Sequence, residues 1–155
     1  MAGMDFIKQV VAKKNERLVA LKAAISEDEL KARIKDAGPL RSFKHASSRA
    51  KTGSVIAEFK NASPSAGVIR DPFNIQEIAQ AYTQAQVQAV SVLTEEDFFM
   101  GDIQHLNQVR GFMNVPILRK DFIIDPYQVY ESRVCGADAI LLIAAILTKE
   151  NLRTV

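Results

Sequence analysis

Three charged side chains in this 155-residue sequence have the types and spacings to do chemistry. Glu58 and Lys60 stand two residues apart in the run Ile-Ala-Glu-Phe-Lys (56–60). In an extended strand, residues i and i+2 share a face, so both side chains project together. With Ile56 pointing inward, both reach the inside of a barrel near its C-terminal rim. Lys120 ends a second apolar run, Pro-Ile-Leu-Arg-Lys (116–120), where alternation places it with Leu118 and Pro116 and turns Arg119 toward a helix layer. A lysine at an apolar rim is a candidate general acid. Each residue also has a plainer reading. Glu58 and Lys60 would serve equally as an ion pair filling the barrel end, and Lys120 as a solvated lysine at a strand end. The segment Ser63-Pro-Ser-Ala-Gly67 offers hydroxyls and backbone N–H groups to an anion, but alone such a loop is more often a turn.

Other candidates are weaker. His45 lies in a polar stretch and His105 in a short helical pattern, and neither has a Cys, His or Asp at metal-ligand spacing, so both are expected at the surface. Cys135, just before Gly136, reads as a small core side chain. Phe98-Phe99 suits a hydrophobic wall over a flat ligand, or ordinary helix packing. No metal, nucleotide or Ser-His-Asp signature is present.

The elements that must position these residues follow from periodicity. Phe6, Val10, Leu18 and Leu21 recur at roughly helical spacing over 5–24. Ser26 followed by Glu29 is a capping-box pattern opening a second helix that ends near Gly38-Pro39. The stretch 41–53 is basic and polar and reads as a loop. From Ser54 a strand–helix rhythm begins. Strands are expected at 54–60, 89–93, 115–119 and 139–143. Helices are expected at about 74–86, 103–112 and 126–134, the last with Pro126 in its first turn and Gly136 beyond its end.

Apolar strands alternating with helices predict a parallel α/β sheet buried on both faces. The loop 61–71 lacks the G-x-G-x-x-G fingerprint of an open dinucleotide-binding sheet. Charged residues gather instead at strand C-termini: Glu58 and Lys60, Glu95 and Glu96, Lys120 and Asp121. A (β/α)₈ TIM barrel places its chemistry there. Such a barrel needs eight strands and about 250 residues, and four strands are found. The expectation is therefore an N-terminal helical extension over 1–53 and the first half of a barrel over 54–155, ending within a fourth helix.

Composition excludes several classes. Apolar residues make up 48% and charged residues 25%, with 20 basic and 18 acidic side chains and a net charge of +2. No field of that size favours nucleic acid or an anionic membrane. A single cysteine forbids an intrachain disulfide and suits a reducing cytoplasm. The longest apolar run, 137–147, is too short to span a bilayer, and charged residues such as Lys8, Lys13, Lys14, Glu16 and Arg17 within 1–20 argue against a signal peptide.

Taken together, four segments resemble the indole-3-glycerol-phosphate synthase family. They are Ile-Ala-Glu-Phe-Lys-Asn-Ala-Ser-Pro-Ser (56–65), Ser-Val-Leu-Thr-Glu-Glu-Asp-Phe-Phe (91–99), Leu-Arg-Lys-Asp-Phe-Ile-Ile-Asp-Pro-Tyr-Gln-Val-Tyr (118–130) and Gly-Ala-Asp-Ala-Ile-Leu-Leu-Ile (136–143). The resemblance implies a (β/α)₈ barrel in tryptophan biosynthesis. Its reaction closes, decarboxylates and dehydrates 1-(2-carboxyphenylamino)-1-deoxyribulose 5-phosphate, with neither metal nor organic cofactor. It implies Lys120 as the general acid, Glu58 as the carboxylate orienting the lysines, and Lys60 as the ligand of anionic substrate groups. Ser63, Phe99, Phe122 and Leu141 match pocket positions. Two residues depart from the family pattern: Ala66 stands where a basic residue is common, and Asn61 where a second lysine is. The second catalytic glutamate and the phosphate-binding loops fall outside these 155 residues.

Alternatives are another phosphosugar barrel, which usually relies on paired aspartates or an aspartate–cysteine pair at strand ends and against which the Glu-x-Lys and Lys-Asp-Phe set argues, and a non-catalytic half-barrel used for assembly. Four strands alone would leave two unpaired edges, and Val55, Ala57, Leu118 and Leu141 would lose the facing half of a core. Such a polypeptide is expected to self-associate and to be inactive by itself.

Overall fold

The computed structural model describes residues 2–48 and 53–154. Helix α1 (Ala2–Ala24) has Asp5 in its first turn and Lys22 in its last, matching the helix dipole at both ends. Val10, Lys14 and Leu18, four residues apart, form its buried stripe. Helix α2 (Glu27–Arg33) is capped by Ser26, whose hydroxyl accepts the Glu29 N–H, and runs into a 3₁₀ turn at Ile34–Asp36. The polar stretch expected to be a loop contains a short helix, α3 (Phe43–Ser48). Arg41, before it, is fastened beneath the sheet. Its N–H donates to Asp138 and its guanidinium to the carbonyls of Met113 and Val115.

Strand β1 (Ile56–Phe59) is followed by a hairpin of two short strands, β2 (Ala62–Ser63) and β3 (Gly67–Val68). Then come α4 (Ile75–Gln84), β4 (Ala89–Leu93), α5 (Gln104–Phe112), β5 (Ile117–Lys120), α6 (Pro126–Val134), β6 (Ala139–Ile140) and α7 (Asn151–Thr154). The strands β1, β4, β5 and β6 form one parallel sheet in that order. Strand β5 begins two residues later than its apolar run. Pro116 has no N–H to pair, and only its carbonyl joins the ladder, accepting from Val90. Strand β6 is shorter than its run of apolar residues: beyond the Leu141 N–H, which donates to the Arg119 carbonyl, the chain leaves the ladder and reaches a 3₁₀ turn at Ala144–Ile146. Helix α6 starts where Asp125 and Gln128 form a reciprocal capping box with Pro126 in the first turn. It ends before Gly136, whose φ of +94° suits glycine.

Register decides which side chains face where. Phe59, Val90, Val92 and Ile117 pack against Ile75, Ile78 and Ala79 of α4 and Leu106 and Val109 of α5. Helix α6 covers the same face through Arg119. Helices α1 and α2 lie against α6, with Leu18, Leu30 and Tyr127 in a second cluster. Ala57 packs with the helix-side core, which corrects the expectation that Val55 and Ala57 face inward. Alternation that turns Glu58 inward necessarily turns its odd-numbered neighbours outward. The opposite face carries Ile56, Glu58, Ser91, Leu93, Leu118 and Lys120, and Ile56 remains 49% exposed. Among the described residues, no helix is long and apolar enough to cross a membrane.

Candidate active site

At the C-terminal end of the sheet lies a cleft of about 190 Å³ lined by Glu58, Lys60, Leu93, Glu95, Phe99, Lys120, Asp121, Phe122, Leu141 and Ile143. Each strand delivers its lining residues by alternation. Glu58 pairs in register with Ser91, and Leu93 with Lys120. The Lys120 ammonium lies 3.3 Å from Glu58 Oε2, and the Lys60 ammonium 3.5 Å from Glu58 Oε1. Ser91 donates its hydroxyl to Oε2 at 3.3 Å. One carboxylate thus gathers two cations, one on each oxygen. All three side chains are about one-third exposed or more, so each pair contributes only about 0–1 kcal/mol of stability. The arrangement serves geometry more than stability.

Beneath the cleft, on the helix side, sits a buried charge network. Arg119 donates to Asp121 at 2.9 Å and Glu131 at 2.8 Å, and to the hydroxyls of Thr94 and Ser132. Thr94 in turn donates to Asp121 at 2.6 Å. Burial alone would raise the Asp121 carboxyl, but the Arg119 and Lys14 cations outweigh it and hold the group below the usual carboxylate range. Lys120 and Arg119 therefore do opposite things from adjacent positions, the first open to the cleft and the second locked under α6.

The aromatic wall depends on Glu95. Its carboxylate accepts the N–H groups of Asp97, Phe98 and Phe99, winding the turn that presents Phe99. Burial pushes this carboxyl up, against the opposing pull of those N–H donors. Gly101 closes the same turn. A Cβ there would lie 2.7 Å from the Leu93 carbonyl oxygen and the Thr94 carbonyl carbon. The oxygens of Glu95, Glu96 and Asp97 cluster closely, and backbone N–H groups, Lys14 and Arg17 already engage them.

Of the residues singled out from sequence, Glu58, Lys60, Lys120, Phe99, Phe122 and Leu141 line one cleft. Ser63 is not among the lining residues. Its hydroxyl accepts the Ala66 N–H inside the β2–β3 hairpin. His45 is exposed, whereas His105 is half-buried beside the Phe73 ring, and burial lowers its pKa. Cys135 is half-buried, its thiol pushed up to about 11 by burial. Sequence reasoning missed Leu93 and the connection of Lys14 to the site.

A parallel sheet with ionisable and aromatic side chains converging at the C-terminal ends of its strands defines an α/β protein with an enzyme-type cleft. The family model described as indole-3-glycerol phosphate synthase matches residues 7–155. A protein of that name from Neisseria meningitidis serogroup C is 46% identical over 154 residues, covering 96% of this chain and 58% of the relative. One from Alkaliphilus metalliredigens is 44% identical over 146 residues, covering 94% and 56% respectively. One from Carboxydothermus hydrogenoformans is 54% identical over 99 residues, covering 64% and 38%. The chain belongs to the indole-3-glycerol phosphate synthase family. It spans 58% of the length of the meningococcal relative.

Proposed function

We propose that these residues supply the first four strands of a (β/α)₈ barrel, with residues 1–53 as a helical extension. In this reading the cleft is half of an indole-3-glycerol phosphate synthase active site in tryptophan biosynthesis. The substrate is 1-(2-carboxyphenylamino)-1-deoxyribulose 5-phosphate. The ring carbon bearing the carboxylate attacks the ribulose ketone while Lys120 protonates the ketone oxygen. Carbon dioxide then leaves, restoring the aromatic ring, and the new hydroxyl departs as water while the adjacent carbon, the former ribulose C1, gives up a proton to complete the indole double bond. Glu58 orients both lysines, and Lys60 holds an anionic group of the substrate. Phe99, Phe122 and Leu141 flank the anthranilate ring, with Ser63 at the pocket's edge. The phosphate and a second catalytic glutamate fall to the remaining barrel units. The reaction so assigned needs no metal or organic cofactor.

The observation carrying this reading is the Lys60–Glu58–Lys120 bridge beside Phe99 and Phe122 in one cleft. The experiment is to incubate the full-length protein with that substrate. Formation of indole-3-glycerol phosphate with release of carbon dioxide is expected. A folded protein that forms none overturns the assignment.

A further inference from the structure

Lys14 stands where helical spacing asks for a hydrophobe. It sits between Val10 and Leu18 on the buried stripe of α1 and is 3% exposed. Its ammonium reaches Asp121 Oδ1 at 2.8 Å and Glu96 Oε2 at 2.9 Å. Those acids belong to two different loops. Glu96 opens the loop after β4 that presents Phe99. Asp121 lies between Lys120 and Phe122 at the end of β5. A single cation of the N-terminal helix thus ties together the two loops that carry the cleft's aromatic pair and its rim lysine. Lys14 itself is not among the residues lining the cleft.

A methionine or leucine at this position would dock α1 by packing alone. A buried ammonium with two carboxylates is costly to desolvate and is a poor device for stability as such. It does fix distances, because removing the cation leaves two acids facing each other. We propose that Lys14 is a positioning residue for the reaction. Acting through Asp121 and Glu96, it sets the distance between Phe99 on the loop after β4 and the end of β5, where Lys120 and Phe122 flank Asp121. The proposal rests on the reading of the cleft given above.

Lys22 supplies the control. It docks the far end of the same helix by pairing at 2.7 Å with Asp125, the N-cap of α6, and touches neither Glu96 nor Asp121. In the full-length enzyme, Lys14→Met, Lys14→Arg and Lys22→Met are compared for kcat and KM well below each variant's melting temperature. Lys14→Met is expected to lower kcat about tenfold to 10²-fold, the scale of a small misplacement of reacting groups. Lys14→Arg, which keeps the cation, should recover a large part of that loss, and Lys22→Met should keep wild-type kcat. Wild-type kcat in Lys14→Met overturns the proposal. So does an equal kcat loss in Lys22→Met at an equal fall in melting temperature, which would mean simple docking of α1. If Lys14→Met does not fold, Glu96→Ala decides instead: it removes only the Lys14 tie to the Phe99 loop, which Arg17 still holds through Asp97, and a raised KM is expected. An unchanged KM and kcat in that variant overturns the proposal. Wild-type protein that forms no indole product overturns the functional reading itself, and this proposal with it.

Discussion

Glu58 and Lys120 meet at 3.3 Å although their strands are not neighbours in the sheet. Strand β4 lies between them, with Ser91 in register with Glu58 and Leu93 with Lys120, and the Ser91 hydroxyl donates to the same Glu58 oxygen. A small residue on the middle strand lets two long side chains converge above it.

That convergence carries the first prediction. In the full-length enzyme, Lys120→Ala should lower kcat by at least ~10², the usual scale for losing a general acid, with a smaller effect on KM. Glu58→Gln keeps the shape but removes the charge that gathers both lysines, so it too should lower kcat. Steady-state kinetics check both, and near-normal kcat in Lys120→Ala would remove its assigned role.

The buried network makes a prediction about pH. The Asp121 carboxyl is held below its ordinary value, so it binds fewer protons folded than unfolded. Its contribution is complete above the unfolded value, about 3.9, and is lost as pH falls through the lower folded value. Asp121→Asn should cost about 3 kcal/mol at neutral pH, since it leaves the buried cations Arg119 and Lys14 with one carboxylate each, Glu131 and Glu96. It should also remove part of the stability loss below about pH 4. Denaturant melts of both proteins across that range provide the check, and parallel pH curves would contradict it.

Gly101→Ala tests the aromatic wall. The added methyl would meet backbone atoms of Leu93 and Thr94 at 2.7 Å, where no side-chain rotation gives relief. A cost of about 1–3 kcal/mol is expected from the overpacking. Because the displaced turn carries Phe99, KM should rise as well. An unchanged melting temperature and KM would show that the turn tolerates the shift.

Produced as these 155 residues alone, the polypeptide presents β1 and β6 as unpaired sheet edges and leaves Val55 and Ile56 half-exposed. Open edges template pairing with another chain. Sedimentation should show dimers or larger species, and no indole product should form in assays. A stable monomer at micromolar concentration would count against the first expectation, and product formation against the second.

Much of this architecture was legible because period-two alternation is a local property. It separated Lys120 from Arg119, and it joined Glu58 to Lys60. Strand β4 and helix α6 begin and end where their apolar run and Pro126 indicate. The same rule, applied inconsistently, put Ala57 on the wrong face. The β2–β3 hairpin escaped notice because two-residue strands carry no periodicity. Helix α3 escaped because six residues with one large apolar side chain, Phe43, show no helical period. Lys14 looked like one more solvated lysine among its neighbours Lys13 and Arg17. Its partners lie 82 and 107 residues further on, and no local pattern encodes a contact across that distance.

The docking of α1 has a consequence for how the chain is made. Its contacts with Asp97, Glu96, Asp125 and Tyr127 span 80 to 106 residues. At a synthesis rate of about 5–20 residues per second, the helix leaves the ribosome about 5–20 s before α6 exists to receive it. The four parallel strands can be laid down one beside the next as they emerge, each pairing with its predecessor. An element translated ahead of the whole sheet is thus among the last to find its seat, and until then Val10, Lys14 and Leu18 lack their partners.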